Sequence, residues 1–401
     1  MKKNFKGIAL LLTAALAISA LTGCGGEKAA EENNNEATTE TTETADGEDV
    51  IKIGVFEPFT GANAAGGALE VEGIKLANEA RPEVLGKKVV LVEADNKSEK
   101  VEAANAASRL VEKEQVVAIL GSWGSSNSIA AGEVVSSSKT PAIACSATNP
   151  LVTQGNDYYF RVCFIDPYQG KVMANYAYNE LGARKAGIIR EIGSDYSLGL
   201  AKFFTDAFTE LTGDENCIVA TADYQTGDQD FNAQVTSVAN ANPDVIFAPG
   251  NFTESAMLIK QARQLGIEIP FLGADTWETP EFISVGGAEV EGVVFSTFFD
   301  SNANLTPKTK EFVDAYKAKY NKEPAAVTAL SYDAYNVLLD AIEKAGTTEK
   351  EALRDALAAT ENFEGATGYT TFDENGDATK DAVIKTVKDG QFTYLTTVKA
   401  E

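Results

Sequence analysis

The sequence predicts an α/β protein of two similar lobes, each a parallel β-sheet with helices on both faces. Two observations support this prediction. The chain has 401 residues, of which 44% are hydrophobic and 23% charged, and this length exceeds what one hydrophobic core usually organises. From Ile51 onward, short apolar runs alternate with helical patterns in two successive series, which is typical of parallel sheets covered on both faces.

The first series holds four apolar runs that we expect to be strands: Ile51 to Phe56, Val89 to Ala94, Val116 to Leu120 and Pro141 to Ala144. Before the third run, Val101, Ala104, Ser108 and Val111 fall on one helical face, which predicts an amphipathic helix there.

The second series repeats the arrangement. Its predicted strands are Ala186 to Ile189, Ile218 to Ala222, Val245 to Ala248 and Phe271 to Gly273, with helices around Leu200 to Leu211 and Ser255 to Leu265. Later come three helical stretches, Lys308 to Tyr320, Val327 to Lys344 and Lys350 to Ala359, and then strands at Tyr369 to Phe372, Val383 to Val387 and Phe392 to Val398. The last two strands are expected to form a hairpin.

Two glycine-containing loops imitate ligand-binding motifs without matching them. The acidic turn Asp373 to Asp377 has glycine in its fourth position, where a calcium-binding EF-hand needs it in the sixth, so a hairpin turn is expected. The segment Gly61 to Gly67 follows a strand, but it lacks the Gly-Lys-Ser/Thr ending of a P-loop. We therefore expect no nucleotide site, no metal site and no cofactor.

The amino terminus has the layout of an export signal. Three lysines precede 14 mainly apolar residues, Ile8 to Leu21, which is shorter than the roughly 20 that a membrane span requires. The following Leu21-Thr22-Gly23-Cys24 resembles the lipobox of bacterial lipoproteins, which implies that Cys24 is acylated and holds the protein on the outer face of the cell membrane. A plain secreted protein is the alternative. Residues 25–49 carry nine acids and one lysine, and we expect them to be a disordered linker.

Charge and composition exclude several functions. With 34 Lys+Arg against 59 Asp+Glu, the formal net charge is −25, so binding to the nucleic-acid backbone is not expected. The chain contains no histidine, which removes Ser-His and Cys-His nucleophile pairs and the usual zinc ligands. Carboxylate acid–base chemistry and Ser-Lys pairs remain open. Cys145, Cys163 and Cys217 have no metal-like spacing and are expected to be small buried hydrophobic residues.

Hydroxyl-rich loops follow two of the predicted strands. Gly121 to Ser128 follows the third strand and Cys145 to Pro150 follows the fourth. Ligands of open parallel sheets bind beyond the carboxyl ends of strands, so these loops could present N–H and hydroxyl donors to a carboxylate. Ordinary helix capping is the alternative for each loop.

These loops, together with Asp195 to Gly199, Asp228 to Phe231, Gly273 to Asp275 and Tyr332 to Ala334, resemble the branched-chain amino-acid binding proteins of ABC transporters. The resemblance runs from about Ile51 to Val398 and implies the type I periplasmic-binding-protein fold, whose two lobes are joined by three crossovers and close on a solute. It implies crossovers near Cys163 to Tyr168, Ser296 to Asn302 and Ala366 to Thr371. The implied lobes are residues 50–165 with 300–368, and 166–299 with 369–401; residues 1–24 are the signal peptide.

The resemblance also implies a ligand site. It places the ligand carboxylate on Ser125 and Thr148, and the ammonium on the Ser146 carbonyl, the Thr148 hydroxyl and Asp275. Tyr196 is expected to close over the ligand from the second lobe. Further wall residues are expected at Asn251, Phe252 and Trp123. For Asp275 the alternative role is a cap on the helix that begins near Thr279.

The chain departs from the leucine/isoleucine/valine binders at three points. Asp275 replaces a longer Glu, Gly66 stands where they have an aromatic residue, and the disulfide of their first lobe has no counterpart. The implied ligand is a small amino acid, branched-chain or otherwise uncharged and aliphatic, and the implied partner is an ABC permease, with the protein a monomer and not an enzyme. A sensory solute receptor, a same-fold receptor for urea or amides, and an exported hydrolase are the alternatives.

Overall fold

The computed structural model describes residues 50–303 and 305–400. The predicted signal peptide, Cys24 and the linker therefore lie outside the described residues. Within these two ranges, no helix combines the length and the apolar character that crossing a bilayer requires.

The first lobe is built on a six-stranded sheet. Its elements are β1 (Ile51–Glu57), α1 (Ala64–Ala80), β2 (Glu83–Val84), β3 (Lys87–Asp95), α2 (Lys100–Ser108), β4 (Ala118–Leu120), α3 (Ser125–Ser137), β5 (Ala142–Ala144) and β6 (Tyr159–Arg161). A π-helical turn, Arg109–Lys113, prolongs α2. The spatial order is β2-β3-β1-β4-β5-β6, and all pairs are parallel except the β2–β3 hairpin. Strand β1 is buried almost throughout, as expected for a strand covered on both faces.

The second lobe begins with α4 and contains a seven-stranded sheet. Its first elements are α4 (Asp166–Asn175), β7 (Ala186–Glu191), α5 (Asp195–Thr212), β8 (Ile218–Tyr224), α6 (Asn232–Ala239), β9 (Val245–Phe247), α7 (Phe252–Gln264), β10 (Phe271–Gly273), α8 (Pro280–Gly286) and β11 (Val294–Thr297). A π-helical turn, Tyr176–Glu180, prolongs α4.

The chain then returns to the first lobe and crosses back once more. The returning elements are α9 (Pro307–Tyr320), α10 (Ala326–Ala345), α11 (Lys350–Ala358), β12 (Phe363–Gly365) and β13 (Gly368–Thr370), and the final hairpin is β14 (Ala382–Lys388) and β15 (Gln391–Val398). The second sheet has the order β15-β14-β11-β10-β9-β7-β8, with β14 antiparallel to both neighbours. Two parallel-dominated sheets with helical layers confirm the predicted fold class.

Close helix packing explains why residues so far apart in sequence share a lobe. Helix α1 lies against α10, and a Cβ atom on Gly73 would lie only 2.1 Å from the carbonyl oxygen of Thr328. The two helices can therefore approach this closely only because residue 73 has no side chain.

The sequence also specifies where helices begin and end. Helix α5 begins after Ser194, whose side chain accepts a hydrogen bond from the N–H of Ser197, and ends at Gly213 with φ 66°. An N-terminal serine cap and a left-handed glycine at the end are common helix boundaries.

The third connection between lobes begins later than the resemblance implied. Strand β13 pairs with β12, and β12 contacts α9 and α10, so the expected lobe boundary at 369 falls inside a hairpin of the first lobe. The acidic turn that follows is a hairpin turn, as predicted: Phe372 bridges Ala378, and the N–H of Asp373 donates to the carbonyl of Asp377 at 2.9 Å.

Candidate functional site

A cavity of about 390 Å³ lies between the two lobes. Every residue that lines it stands at or just beyond the carboxyl end of a strand, which is where open parallel sheets bind ligands. The lining comprises Asn63, Ser98 to Val101, Trp123 to Asn127 and Ser146 from the first lobe, and Glu191, Gly193, Ser194, Tyr196, Thr226, Asn251, Asp275 and Thr276 from the second. The volume suits a small molecule.

Ser125 is the first residue of α3 and forms part of the cavity wall. Gly124, with φ 88°, turns the chain into this helix. The Ser125 hydroxyl is buried and accepts a hydrogen bond from the backbone N–H of Asn149 at 3.1 Å. The first-turn N–H groups of a helix lack intrahelical partners, so this end of the cavity favours a negatively charged group.

The second hydroxyl-rich loop, residues 145–149, follows β5. Ser146 lines the cavity, and its hydroxyl donates to the buried carboxylate of Glu70. Thr148 is also fully buried but does not line the cavity. Its hydroxyl makes no hydrogen bond of good geometry among the described residues, but it lies beside the buried carboxyl of Asp166 and favours the ionised form of that group. The Thr148 carbonyl also accepts from the Asp166 N–H at 3.0 Å.

Arg161, the last residue of β6, holds the backbone of the loop 145–149 in place. The guanidinium is fully buried and donates to the carbonyl oxygens of Ala147 and Asn149, both at 2.9 Å. It also pairs with Asp377 and donates to the Thr153 hydroxyl. A charged, planar group with several fixed donors holds backbone carbonyls more rigidly than a single hydrogen bond does.

Asp275 is the acidic group on the opposite wall. It follows β10, is 3% exposed, and accepts hydrogen bonds at one oxygen from the Gln169 amide at 2.7 Å and the Tyr196 hydroxyl at 2.9 Å. It does not cap α8, because the cap of that helix is Thr279, whose hydroxyl accepts from the N–H of Phe282. The capping alternative for Asp275 therefore fails.

A second buried carboxylate, Asp166, stands near Asp275 at the start of α4. Its oxygens make no hydrogen bond of good geometry among the described residues, although the Thr148 hydroxyl lies close enough to favour the ionised carboxylate. Burial raises the pKa of Asp166 to about 8, and the charge of Asp275 adds to that rise. Burial likewise raises the pKa of Asp275 to about 6, although the hydrogen bonds from Gln169 and Tyr196 oppose this. This end of the cavity therefore favours a positively charged group.

Trp123 contributes an aromatic wall and explains one departure from the family pattern. A Cβ atom on Gly66 would lie 2.5 Å from the Trp123 indole, so the indole occupies the space that a side chain at 66 would need. Across the lobes, Trp123 meets Phe252 edge to face, with ring centroids 6.1 Å apart. Phe252 is buried behind the wall and does not line the cavity.

Glu191, at the end of β7, is a third buried carboxylate and lines the cavity. One of its oxygens accepts from the Thr226 hydroxyl and the other from the Asn251 amide at 3.1 Å. Burial raises the pKa of Glu191. Both oxygens of Glu191 thus already have neutral donors.

The lobes are joined beside the cavity by contacts that converge on Asp195 of α5. Its backbone N–H donates to the Ser126 hydroxyl at 2.9 Å, its carbonyl accepts from the Asn149 amide at 2.8 Å, and its carboxylate pairs with Lys100 at 2.7 Å. We call these three contacts the Asp195 clasp. Because the clasp connects opposite lobes, it belongs to a closed arrangement of the cleft.

Six of the eight predicted ligand-site residues line the cavity, and Thr148 and Phe252 do not. The sequence reasoning missed the lining residues Asn63, Glu191 and Thr226, and also Asp166, which is buried near Asp275 without lining the cavity. Asp166 precedes Pro167, a pattern typical of a helix start, and Glu191 follows the predicted end of its strand. Glu191 could have been found by the strand-end argument if that strand had been extended by two residues.

Behind the first wall lies a buried acidic pair that no sequence motif indicated. Burial raises the pKa of Glu57 and of Glu70, that of Glu70 to about 7. Among the described residues, Glu57, Glu70 and Cys145 are the cluster whose side-chain atoms lie close enough together, within 4.8 Å, to hold a metal ion. Because Glu57 binds the backbone N–H of Trp123 at 2.7 Å and Glu70 binds Ser146, the pair supports the cavity wall. Cys145, Cys163 and Cys217 are free and buried.

Comparison with known proteins places these features in a family. A family model described as "Periplasmic binding protein" matches residues 50–391. The Leu/Ile/Val-binding protein homolog 3 of Brucella melitensis is 31% identical over 333 residues, which cover 82% of this chain and 88% of that protein.

Solved structures agree. The crystal structure of a leucine binding protein, LivK, from Thermotoga maritima has a TM-score of 0.84 and 45% identity, covering 87% of this chain and 99% of that one. The branched-chain amino acid transporter substrate binding protein LivJ of Streptococcus pneumoniae, solved in complex with isoleucine, has a TM-score of 0.80 and 34% identity, with coverage of 87% and 99%.

Proposed function

Because this chain belongs to the periplasmic binding protein family, we propose that it is the extracytoplasmic receptor of an ABC importer. It captures a small amino acid with an uncharged side chain between its lobes and delivers it to the permease in the membrane. This ligand class includes the leucine and isoleucine named for the two similar structures.

The opposed polarity of the cavity ends is the observation that carries the proposal. Asp275 is a buried acid in the wall at one end, with the buried Asp166 near it but not lining the cavity, and the first turn of α3 begins at Ser125 at the other. A bound zwitterion loses its water when the lobes close, so it needs acceptors for its ammonium and donors for its carboxylate. Tyr196, which donates to Asp275, covers the ammonium from the second lobe.

An uncharged side chain follows from how the remaining charges are used. Lys100 is paired with Asp195, and both oxygens of Glu191 accept hydrogen bonds. A negative charge on the ligand side chain would be desolvated beside Glu191 without a free cation, which is unfavourable. A positive charge would have to pair with a carboxylate whose oxygens Thr226 and Asn251 already satisfy.

We further propose that the protein carries out no reaction and is held at the membrane by acylated Cys24. The lysine that lines the cavity pairs with an acid rather than with a serine, so a Ser-Lys nucleophile has no support there. Ligand recovered unchanged after prolonged incubation would agree with this.

A thermal-shift screen of fragment 50–401 tests the function, because a ligand that binds only the folded state raises the melting temperature. The screen compares amino acids, amides, sugars and urea. We expect stabilisation by uncharged L-amino acids. Stabilisation by sugars or urea alone would contradict the proposal.

A further inference from the structure

The part of the cavity left for the ligand side chain is polar. Once the residues that bind the ligand ammonium and carboxylate are assigned, other lining residues remain to contact the ligand side chain. They include Asn63 and Trp123 on the first lobe and Glu191, Thr226 and Asn251 on the second. Among them only the indole offers an extended apolar surface. The apolar residue Val101 lies at the rim and is 73% exposed.

Two polar atoms of cavity-lining residues in the first lobe have no hydrogen-bonding partner among the described residues. The Trp123 indole N–H is buried and unpartnered among the described residues, and so is the side-chain oxygen of Asn63. Trp123 as a whole is 1% exposed, so water reaches its N–H poorly. One unpartnered donor and one unpartnered acceptor therefore belong to residues of the same wall.

The second lobe presents hydrogen-bonding groups on the facing wall. Glu191 holds Thr226 and Asn251 through its two oxygens, which fixes the orientation of both side chains toward the carboxylate. Carboxylate oxygens can each accept more than one hydrogen bond, so Glu191 can still receive a further N–H or O–H from a ligand.

The Trp123 N–H and the Asn63 oxygen are already buried and unpartnered among the described residues in this closed arrangement, and an aliphatic ligand side chain would leave them so. An unsatisfied buried polar group is destabilising, whereas a ligand group that donates and accepts satisfies both walls. We propose that the ligand is an amino acid whose neutral side chain carries a hydroxyl or a carboxamide, read by Trp123, Asn63 and Glu191. This inference rests on the proposed amino-acid receptor function and narrows its substrate class.

Pairs of amino acids with nearly equal shape separate hydrogen bonding from size. Threonine and valine form one pair, and asparagine and leucine form the other. Calorimetry on the purified protein should show that threonine binds more tightly than valine, or asparagine more tightly than leucine, by at least about tenfold. Equal or tighter binding of valine and leucine would overturn this inference and leave the receptor function standing.

Two further outcomes are decisive. If L-lysine binds more tightly than all four amino acids, Glu191 reads a cation and the inference is wrong. If no amino acid binds, the proposed receptor function fails and this inference fails with it.

Variants test the assigned atoms. Asn63→Leu keeps the side-chain size and removes its polar atoms, and the Asn63 side chain makes no capping hydrogen bond that the helix would lose. Trp123→Phe removes the N–H and keeps an aromatic ring. Each should reduce the preference within the pairs severalfold, whereas Asn179→Leu, the same change at an exposed position outside the cavity, should not. An unchanged preference in both cavity variants would overturn the assignment.

Discussion

Replacing Asp275 with asparagine removes one negative charge from the cavity and keeps the shape of the side chain. The carboxylate is 3% exposed, and burial raises its pKa from 3.8 to about 6. A change of this size corresponds to about 3 kcal/mol, by which burial, net of the hydrogen bonds from Gln169 and Tyr196, disfavours the charge. An ammonium group beside Asp275 offsets this unfavourable burial, so the variant should bind the amino acid about 100-fold more weakly.

The pH dependence of binding gives an independent reading of the same interaction. The ammonium pairs with the ionised carboxylate, which predominates above the pKa of about 6. Below that pKa, each unit of decreasing pH lowers the ionised fraction about tenfold. Wild-type affinity should therefore fall as the pH is lowered from 7 to 5, and Asp275→Asn should lose this part of the decline.

Isothermal titration calorimetry of both proteins at pH 7 and pH 5 provides the measurement. Asp206→Asn is the matched control, because Asp206 lies on the surface of α5 and pairs with Lys202. The control should bind like the wild type at both pH values. If Asp275→Asn binds within about twofold of the wild type, or keeps the full pH dependence, Asp275 does not bind the ammonium.

Four other results are expected. Cys24→Ala should move the protein from the membrane to the soluble fraction, and tight membrane retention of this variant would argue against acylation. Saturating amino acid should lower the radius of gyration in small-angle scattering, because contacts to both lobes favour closure; an unchanged radius would count against hinge closure. Lys100→Met removes the exposed ion pair of the Asp195 clasp. Such a pair contributes about 0.2–1 kcal/mol, so ligand release in stopped-flow experiments should become up to about fivefold faster. An unaltered rate would show that the pair does not hold the lobes together. The pKa of Asp166 is about 8, and a nearby ammonium lowers it. Binding at pH 7 should therefore release part of a proton, which calorimetry detects as a binding enthalpy that depends on the buffer. Absence of proton release would place the ammonium away from Asp166.

Most strands could be predicted because buried parallel strands are short apolar runs with clear ends, but the short strands β2, β6, β11 and β12 were not predicted. Phe271 to Gly273 was predicted with the bounds that the structure has. The third lobe connection was harder to locate, since Gly368–Thr370 is a three-residue strand whose pairing with β12 leaves no periodic pattern. Only the tertiary contacts of β12 with α9 and α10 assign it to the first lobe.

Within the site, loop position predicted which segments meet but not which side chains point into the cavity. Ser146 and Thr148 are two residues apart on one loop, yet only Ser146 lines the cavity. Arg161 holds the carbonyls of Ala147 and Asn149, the two chain neighbours of Thr148, and no pattern in the sequence indicates this contact. Asp166 was not predicted as a site residue for another reason. An acid before proline at a helix start is explained by the local structure alone, so the sequence gives no sign that this side chain lies near the ligand site.

The contact between Gly66 and the Trp123 indole restricts how this binding site can diverge by mutation. Any residue larger than glycine at position 66 would collide with the indole, so an aromatic side chain cannot be introduced there while Trp123 remains in place. A mutational path toward the aromatic arrangement of the leucine/isoleucine/valine binders must first exchange Trp123 for a smaller residue and pass through a cavity that has lost its aromatic wall. Positions 66 and 123 should therefore be varied together in any attempt to redesign the specificity of this protein.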